Sequence, residues 1–229
     1  MIEAFLRDTY HLLPDSLRRA ILVRRRAPLW LRAGIVFNHV PKAAGTSINQ
    51  ALYGRFMGHV RATDIQRWAP RAVRNLPSFA VTRNPWERLV SAYRFACRGH
   101  GLGGYQAGVW RPQQYDISEF ESFETFVKDW LAKRHVAKLD AIFQPQHVFI
   151  CDLDGNILVD HVGHLEDLRP TFEFIRDHTG SLPSLELSNR SGEPIDYKQF
   201  STPELTRVVA RIYHEDIKLF GYGALADVV

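Results

Sequence analysis

Gly34-Ile35-Val36-Phe37-Asn38-His39-Val40 is a mostly apolar run that stops at Pro41 and gives way to Lys42-Ala43-Ala44-Gly45-Thr46-Ser47. An apolar run of this length reads as a buried strand. The small residues after it read as a turn, and Ile48 to Phe56 as the helix that the turn opens. Strand, turn and helix in that order put the first helical amides at the turn, where they have no partner inside the helix. Together with the helix dipole they favour an anion. Ala43, Ala44 and Gly45 let the backbone approach such an anion closely. Thr46 and Ser47 add hydroxyl donors, and Lys42 adds a mobile positive charge. The order is not that of a Walker A loop, where lysine directly precedes Ser or Thr, so no hydroxyl–magnesium arrangement and no metal site is expected.

The same architecture recurs about forty residues on. Phe79 to Thr82 reads as a second buried strand, Arg83 ends it, and Pro85 opens a helix carrying Leu89, Val90, Tyr93 and Phe95. Ser91 lies eight residues beyond Arg83, so about two helical turns return it to the same neighbourhood. Arg88 reads as a structural residue. Further on, Arg98 to Pro112 is glycine-rich and reads as a surface loop. Phe120 to Leu131 has helical spacing. Val148 to Ile150 and Ile157 to Val162 flank Asp154-Gly155 and read as a hairpin. Leu168 to Ile175 begins another helix. Ser201-Thr202-Pro203-Glu204 reads as a capping box ahead of the stripe Leu205, Val208, Val209 and Ile212. Strands alternating with helices predict an α/β fold with a mainly parallel central sheet.

The length, 229 residues, suits a single domain spanning 1–229 with a helical extension over 1–33. With 45% hydrophobic and 24% charged residues, wholesale disorder is excluded. Two cysteines, Cys97 and Cys151, are too few for a disulfide scaffold and point to a reducing compartment. A net charge of +4 does not by itself imply nucleic acid, and no nucleic-acid partner is expected. The basic groups are six lysines and twenty-three arginines. Arginine suits bidentate contacts to phosphate and sulfate, although an arginine excess is also a common compositional bias. Met1 to Leu31 mixes Ile2, Phe5, Leu6, Leu12, Leu13, Leu17, Ile21 and Leu22 with Arg18, Arg19, Arg24, Arg25 and Arg26. It has no apolar stretch of signal or membrane-span character. It is expected to pack on the domain with its arginines in water, the alternative being a peripheral contact with an anionic membrane. A cytoplasmic protein is expected.

Val40 to Ser47 resembles the 5′-phosphosulfate loop, hPKxAGTS, of the 3′-phosphoadenylyl-sulfate (PAPS)-dependent sulfotransferases. Phe79 to Tyr93 resembles their second signature, hhRxPxxRhhSxY. The likeness is to the carbohydrate-type branch, which includes heparan-sulfate uronosyl 2-O-sulfotransferases and bacterial relatives. It implies a P-loop-nucleotide-hydrolase-like three-layer α/β fold and PAPS as sulfuryl donor. It implies that Lys42, Ala43, Ala44, Gly45, Thr46 and Ser47 surround the donor's 5′ end, and that Arg83 and Ser91 hold its 3′-phosphate. His59, in Gly58-His59-Val60, is similar to the catalytic histidine of the uronosyl enzymes, which implies a general base. Neutral imidazole can take the proton of an attacking hydroxyl, and an unperturbed pKa of about 6.5 leaves it mostly neutral near pH 7. Lys42 would share the catalytic role by stabilising charge on the leaving phosphate.

His39, which stands where some uronosyl enzymes carry arginine, and His147 compete for the base. Glu166 matches a family segment and reads as structural or close to the cofactor. Ser188 to Ser191 with Tyr197 is similar to the family's tail, which implies that Ser191 closes over the nucleotide. The acceptor implied is a small molecule or glycan, a carbohydrate or glycolipid hydroxyl. Its selectivity is assigned to residues 98–118 and 130–150, where Tyr105, Trp110, Arg111, Tyr115 and Trp130 either meet it or pack as core or lid. Two other readings stand beside this one. One is a nucleotide-dependent kinase on a related fold, against which the absent Walker A order speaks. The other is a noncatalytic polyanion- or glycan-binding protein.

Overall fold

The three-dimensional structure, a computed structural model, describes residues 13–97, 112–181 and 200–223. Ser191 and its neighbours, and the candidate acceptor residues Tyr105, Trp110 and Arg111, lie outside the described residues. Three strands form one open sheet in the order β1 (Val36–Asn38), β2 (Ser78–Thr82), β3 (His161–His164). Both pairings are parallel, with Phe37 opposite Phe79 and Val81 opposite Gly163. Parallel neighbours need crossovers, and helices supply them. α1 (Asp15–Ala33) precedes β1. α2 (Gly45–Tyr53), α3 (Ala62–Trp68) and the single turn α4 (Arg71–Arg74) connect β1 to β2. α5 (Pro85–Cys97), α6 (Phe123–Thr125) and α7 (His147–Ile150) lie between β2 and β3. α8 (Arg169–Thr179), α9 (Pro203–Ile212) and α10 (His214–Leu219) follow. The expected α/β class and parallel sheet are therefore what the chain adopts.

β1 is buried throughout although it lies at the sheet's edge. A buried edge strand must find partners for its outward backbone groups. Tyr53, at the end of α2, supplies them: its hydroxyl accepts from Phe37 N–H at 2.8 Å and donates to Ile35 C=O at 3.1 Å. That single side chain fixes α2 against the strand it follows.

α1 buries Ala20, Val23, Ala27 and Trp30, the spacing of one helical face, and packs on α2, α3 and α4. Its exposed side carries Arg24, Arg25 and Arg32. Among the described residues no helix is long and apolar enough to cross a membrane. A second core forms away from the sheet, where Trp86 and Tyr93 of α5 meet Phe120, Phe123, Phe126, Trp130 and Phe143, closed by Leu205, Val209 and Tyr213. Tyr115 and Trp130, which the sequence left open between acceptor contact and packing, belong to this core; the Tyr115 hydroxyl donates to Asp140 at 2.6 Å.

Four local expectations shift. α2 begins at Gly45 rather than Ile48, and stops at Tyr53 because Gly54 takes the left-handed conformation at φ 68°. Val148 to Ile150 is a helical turn, not a strand. Only one bridge, Cys151 to Ile157, closes the loop around Asp154-Gly155. The following strand starts later, at His161, since its partner is β2. Phe126 to Leu131 winds as a wider π-helix, which turns Phe126, Val127, Trp130 and Leu131 all into the core. At α9 the cap is Thr202, whose hydroxyl accepts from Leu205 N–H at 3.3 Å. Ser201 is not the cap, and Glu204 instead pairs with Lys128 at 2.6 Å.

Candidate active site

In an open parallel sheet the loops at the carboxyl ends of the strands converge, and ligands bind there. All three strand ends carry residues of interest: His39 to Ser47 after β1, Arg83 and Asn84 after β2, and Leu165 and Glu166 after β3. The first loop is the most unusual. Lys42 has φ 67° and Ala44 φ 58°, the only positive values among non-glycine residues described, while Ala43 between them is not in that region. Each left-handed non-glycine residue costs about 1–2 kcal/mol, so the surrounding structure must impose the shape. Alternating signs of φ turn successive N–H groups toward one concavity, a backbone nest suited to an anion. α2 then starts at Gly45 with Ala44 at its N-cap, where no side chain caps the first-turn amides. The donors left over at the helix start point into the same place.

Three contacts impose this shape. The Ala43 methyl is fully buried. The His39 ring lies flat against Gly45; a Cβ there would stand 1.7 Å from His39 Cδ2, so only glycine fits. Arg88, 1% exposed, donates from Nη1 to the Pro41 and Ile142 carbonyls, both at 3.3 Å, and from Nη2 to that of Gln144 at 2.6 Å. The structural reading of Arg88 is thereby given content: it ties the loop after β1 to α5 and to residues 142–144. Thr46 is half-buried and Ser47 buried in the first turn of α2.

The loop after β2 is held on the same segment. Gln146, fully buried, accepts from Arg83 N–H at 2.9 Å and donates to Arg83 C=O at 2.8 Å. Asp216 of α10, also fully buried, accepts from Gln146 N–H at 2.7 Å and from His147 N–H at 2.9 Å. It also contacts His147 Nδ1 at 2.7 Å. His147 is thus anchored in the frame. The Arg83 guanidinium, 15% exposed, meets Glu87 at 3.1 Å. Glu166 accepts from Asn84 N–H at 2.6 Å, and Tyr222 shares a hydrogen bond with Thr82 at 2.8 Å. Ser91 sits half-buried on α5.

Lys42 joins the two halves. Its ammonium lies 4.0 Å from the centroid of the Phe95 ring, one turn beyond Ser91 on α5. The i, i+4 relation puts Phe95 and Ser91 on one face, so Lys42 reaches over the helix that the second signature opens. A narrow concavity elsewhere, lined by Val36, Asn38, Ala62, Ile65 and Val73, contains neither Lys42 nor Arg83.

His39 and His59 form the remaining wall, with ring centroids 4.3 Å apart. His39 is buried, its Nδ1 at 3.1 Å from Asn49 Nδ2. Burial chiefly, then the neighbouring His59 and Lys42, hold it well below the usual histidine value, against a hydrogen bond to the Gly58 backbone. His59 keeps part of its surface open, but its Nδ1 is buried without a hydrogen-bond partner. Burial pulls His59 down to about 4; a hydrogen bond to the His39 backbone opposes this and the Lys42 charge adds to it. Both rings are therefore neutral at pH 7, and of the two only His59 keeps part of its surface open and a ring nitrogen, the buried Nδ1, without a partner. The supporting residues Asn49, Gln146, Asp216 and Tyr222 have no signal in the sequence, since Gln146 meets its partners 63 and 70 residues away.

Compared with known protein families, the chain matches the one described as the sulfotransferase family over residues 32–223. No curated protein and no solved structure matches it.

Proposed function

We propose, since this chain belongs to the sulfotransferase family, that it moves a sulfuryl group from PAPS to a hydroxyl of a carbohydrate or glycolipid acceptor. The observation that carries this reading is the backbone nest at Lys42 to Ala44, continuous with an uncapped helix start, with the Lys42 ammonium lying over the Phe95 ring of the second signature's helix. The residues fit the donor: a strained cradle of backbone amides with left-handed Lys42 and Ala44, two hydroxyls, and a lysine at one end. Arg83 and Ser91, which follow β2 as the nest follows β1, are assigned to a second anionic group.

When bound, PAPS supplies an activated sulfuryl group on a phosphate that can leave. Lys42 and the amides of residues 43 to 47 stabilise negative charge at the 5′ side. Arg83 and Ser91 grip the 3′-phosphate, which turns distant binding energy into positioning. For this the Arg83 guanidinium either shares itself between Glu87 and the phosphate or gives up the pair. His59 takes the proton of the acceptor hydroxyl on its imidazole. A pKa near 4 makes it a weak base before ligands bind. An anion that neutralises Lys42 removes one of the causes of that depression and raises its basicity where it is needed.

Thermal unfolding in the presence of adenosine 3′,5′-bisphosphate, against ATP with magnesium, tests the donor. Stabilisation by the bisphosphate alone is expected, and stabilisation by ATP–magnesium alone refutes it. Transfer of labelled sulfate from PAPS to a panel of saccharides and glycolipids then tests the acceptor class.

A further inference from the structure

The face of α1 that meets the His59 loop carries Arg26, flanked by Arg25 on the exposed side, and neither has a counter-charge among the described residues. Leu22 of α1 comes within 3.8 Å of the point where a Cβ on Gly58 would stand, so α1 lies directly against Gly58-His59. Arg26 is one turn beyond Leu22 on the same helical face. Arg55 directly precedes Phe56, whose ring packs edge-on with that of His59, centroids 5.4 Å apart. Among the described residues, Arg18 and Arg19 pair with Asp15, and Arg19 also with Asp64, but no carboxylate pairs with Arg25, Arg26 or Arg55. Arg26 Nε is buried and has no hydrogen-bond partner. Like charges held together with a buried, unpaired donor raise the energy of the empty site, and a bound anion relieves it. Burial, then Arg55 and Arg25, lower the Arg26 value below that of an ordinary arginine, which agrees with this crowding.

We propose that Arg25, Arg26 and Arg55 form a subsite for an anionic group of the acceptor, a carboxylate, sulfate or phosphate, beside His59. The inference rests on the acceptor approaching at His59. The arginine forks bind two oxygens of such a group, and the acceptor is held with a neighbouring hydroxyl toward the imidazole.

The test uses the full chain saturated with adenosine 3′,5′-bisphosphate and titrated calorimetrically with hexagalacturonate or with neutral cellohexaose. The anionic probe is expected to bind at least about tenfold more tightly. Arg55→Gln and Arg26→Gln should each weaken it about tenfold while bisphosphate affinity stays within about twofold. Arg55 is exposed, so Arg55→Gln decides the matter alone if Arg26→Gln does not fold. Arg71→Gln with Arg74→Gln, on the exposed side of α4, is the control for diffuse charge. An equal loss from that control, or no loss from Arg55→Gln, overturns the subsite. Phosphatidylglycerol vesicles that bind in an Arg55-dependent way while hexagalacturonate does not would assign the arginines to a lipid surface and overturn the acceptor role. Failure of the bisphosphate itself to bind counts against the donor assignment, separately from these outcomes.

Discussion

Lowering the pH should unfold this protein partly through one side chain, and His59→Asn should remove that part. In the folded chain His59 titrates near 4; in the unfolded chain it returns to about 6.5. Because the folded value is the lower one, protons bind the unfolded state more strongly. The stabilisation is fully present above pH 6.5 and is lost as the pH falls toward 4. Between pH 7 and pH 4.5 the difference amounts to about 2 kcal/mol, since each tenfold difference in proton affinity between the two states is worth about 1.4 kcal/mol. His39 acts in the same direction in both proteins, and so do the carboxylates, so the wild-type and His59→Asn chains must be compared at both pH values. Urea unfolding gives the four free energies. The wild type should lose about 2 kcal/mol more than His59→Asn over this range. Equal losses, within about 0.5 kcal/mol, would show that His59 is hydrated in the native state and that its burial beside Lys42 and His39 is wrongly understood.

The other expectations concern the frame around the loop. Lys42→Ala should lower turnover by about a hundredfold with a smaller effect on bisphosphate affinity, whereas Arg83→Ala should weaken bisphosphate affinity about tenfold or more; calorimetry with sulfate-transfer kinetics separates the two, and the reverse pattern contradicts the assignments. Gly45→Ala should destabilise the fold by about 2 kcal/mol or more, since the new methyl meets the His39 ring; adding His39→Ala should recover part of that loss in a double-mutant cycle read by denaturant unfolding. Arg88→Met should cost about 3–5 kcal/mol by the same measurement, because three carbonyls lose their donor in the interior.

The sequence by itself determined the two strand–turn–helix signatures. Their signals are local: apolar runs that end at a proline or an arginine, small residues where backbone must come close, and a helix start within a few residues. That is why Lys42 to Ser47 and Arg83 to Ser91 were legible, and with them the parallel α/β class. The likeness to the sulfotransferases singled out His59, but its spacing alone distinguishes it little from His39 or His147. Only the tertiary structure gives the three their different surroundings. His39 is sealed against Gly45 and Asn49, His147 is anchored on Asp216, and His59 keeps part of its surface open while its buried Nδ1 has no partner. It likewise decided that Arg88 and Gln146 bind the two loops into one frame, and that residues 148–150 form a helical turn while 161–164 form the strand. These outcomes depend on partners many tens of residues apart in the chain. Burial, like-charge crowding and hydrogen-bond closure arise only when the fold brings such partners together, so no short stretch of sequence contains them.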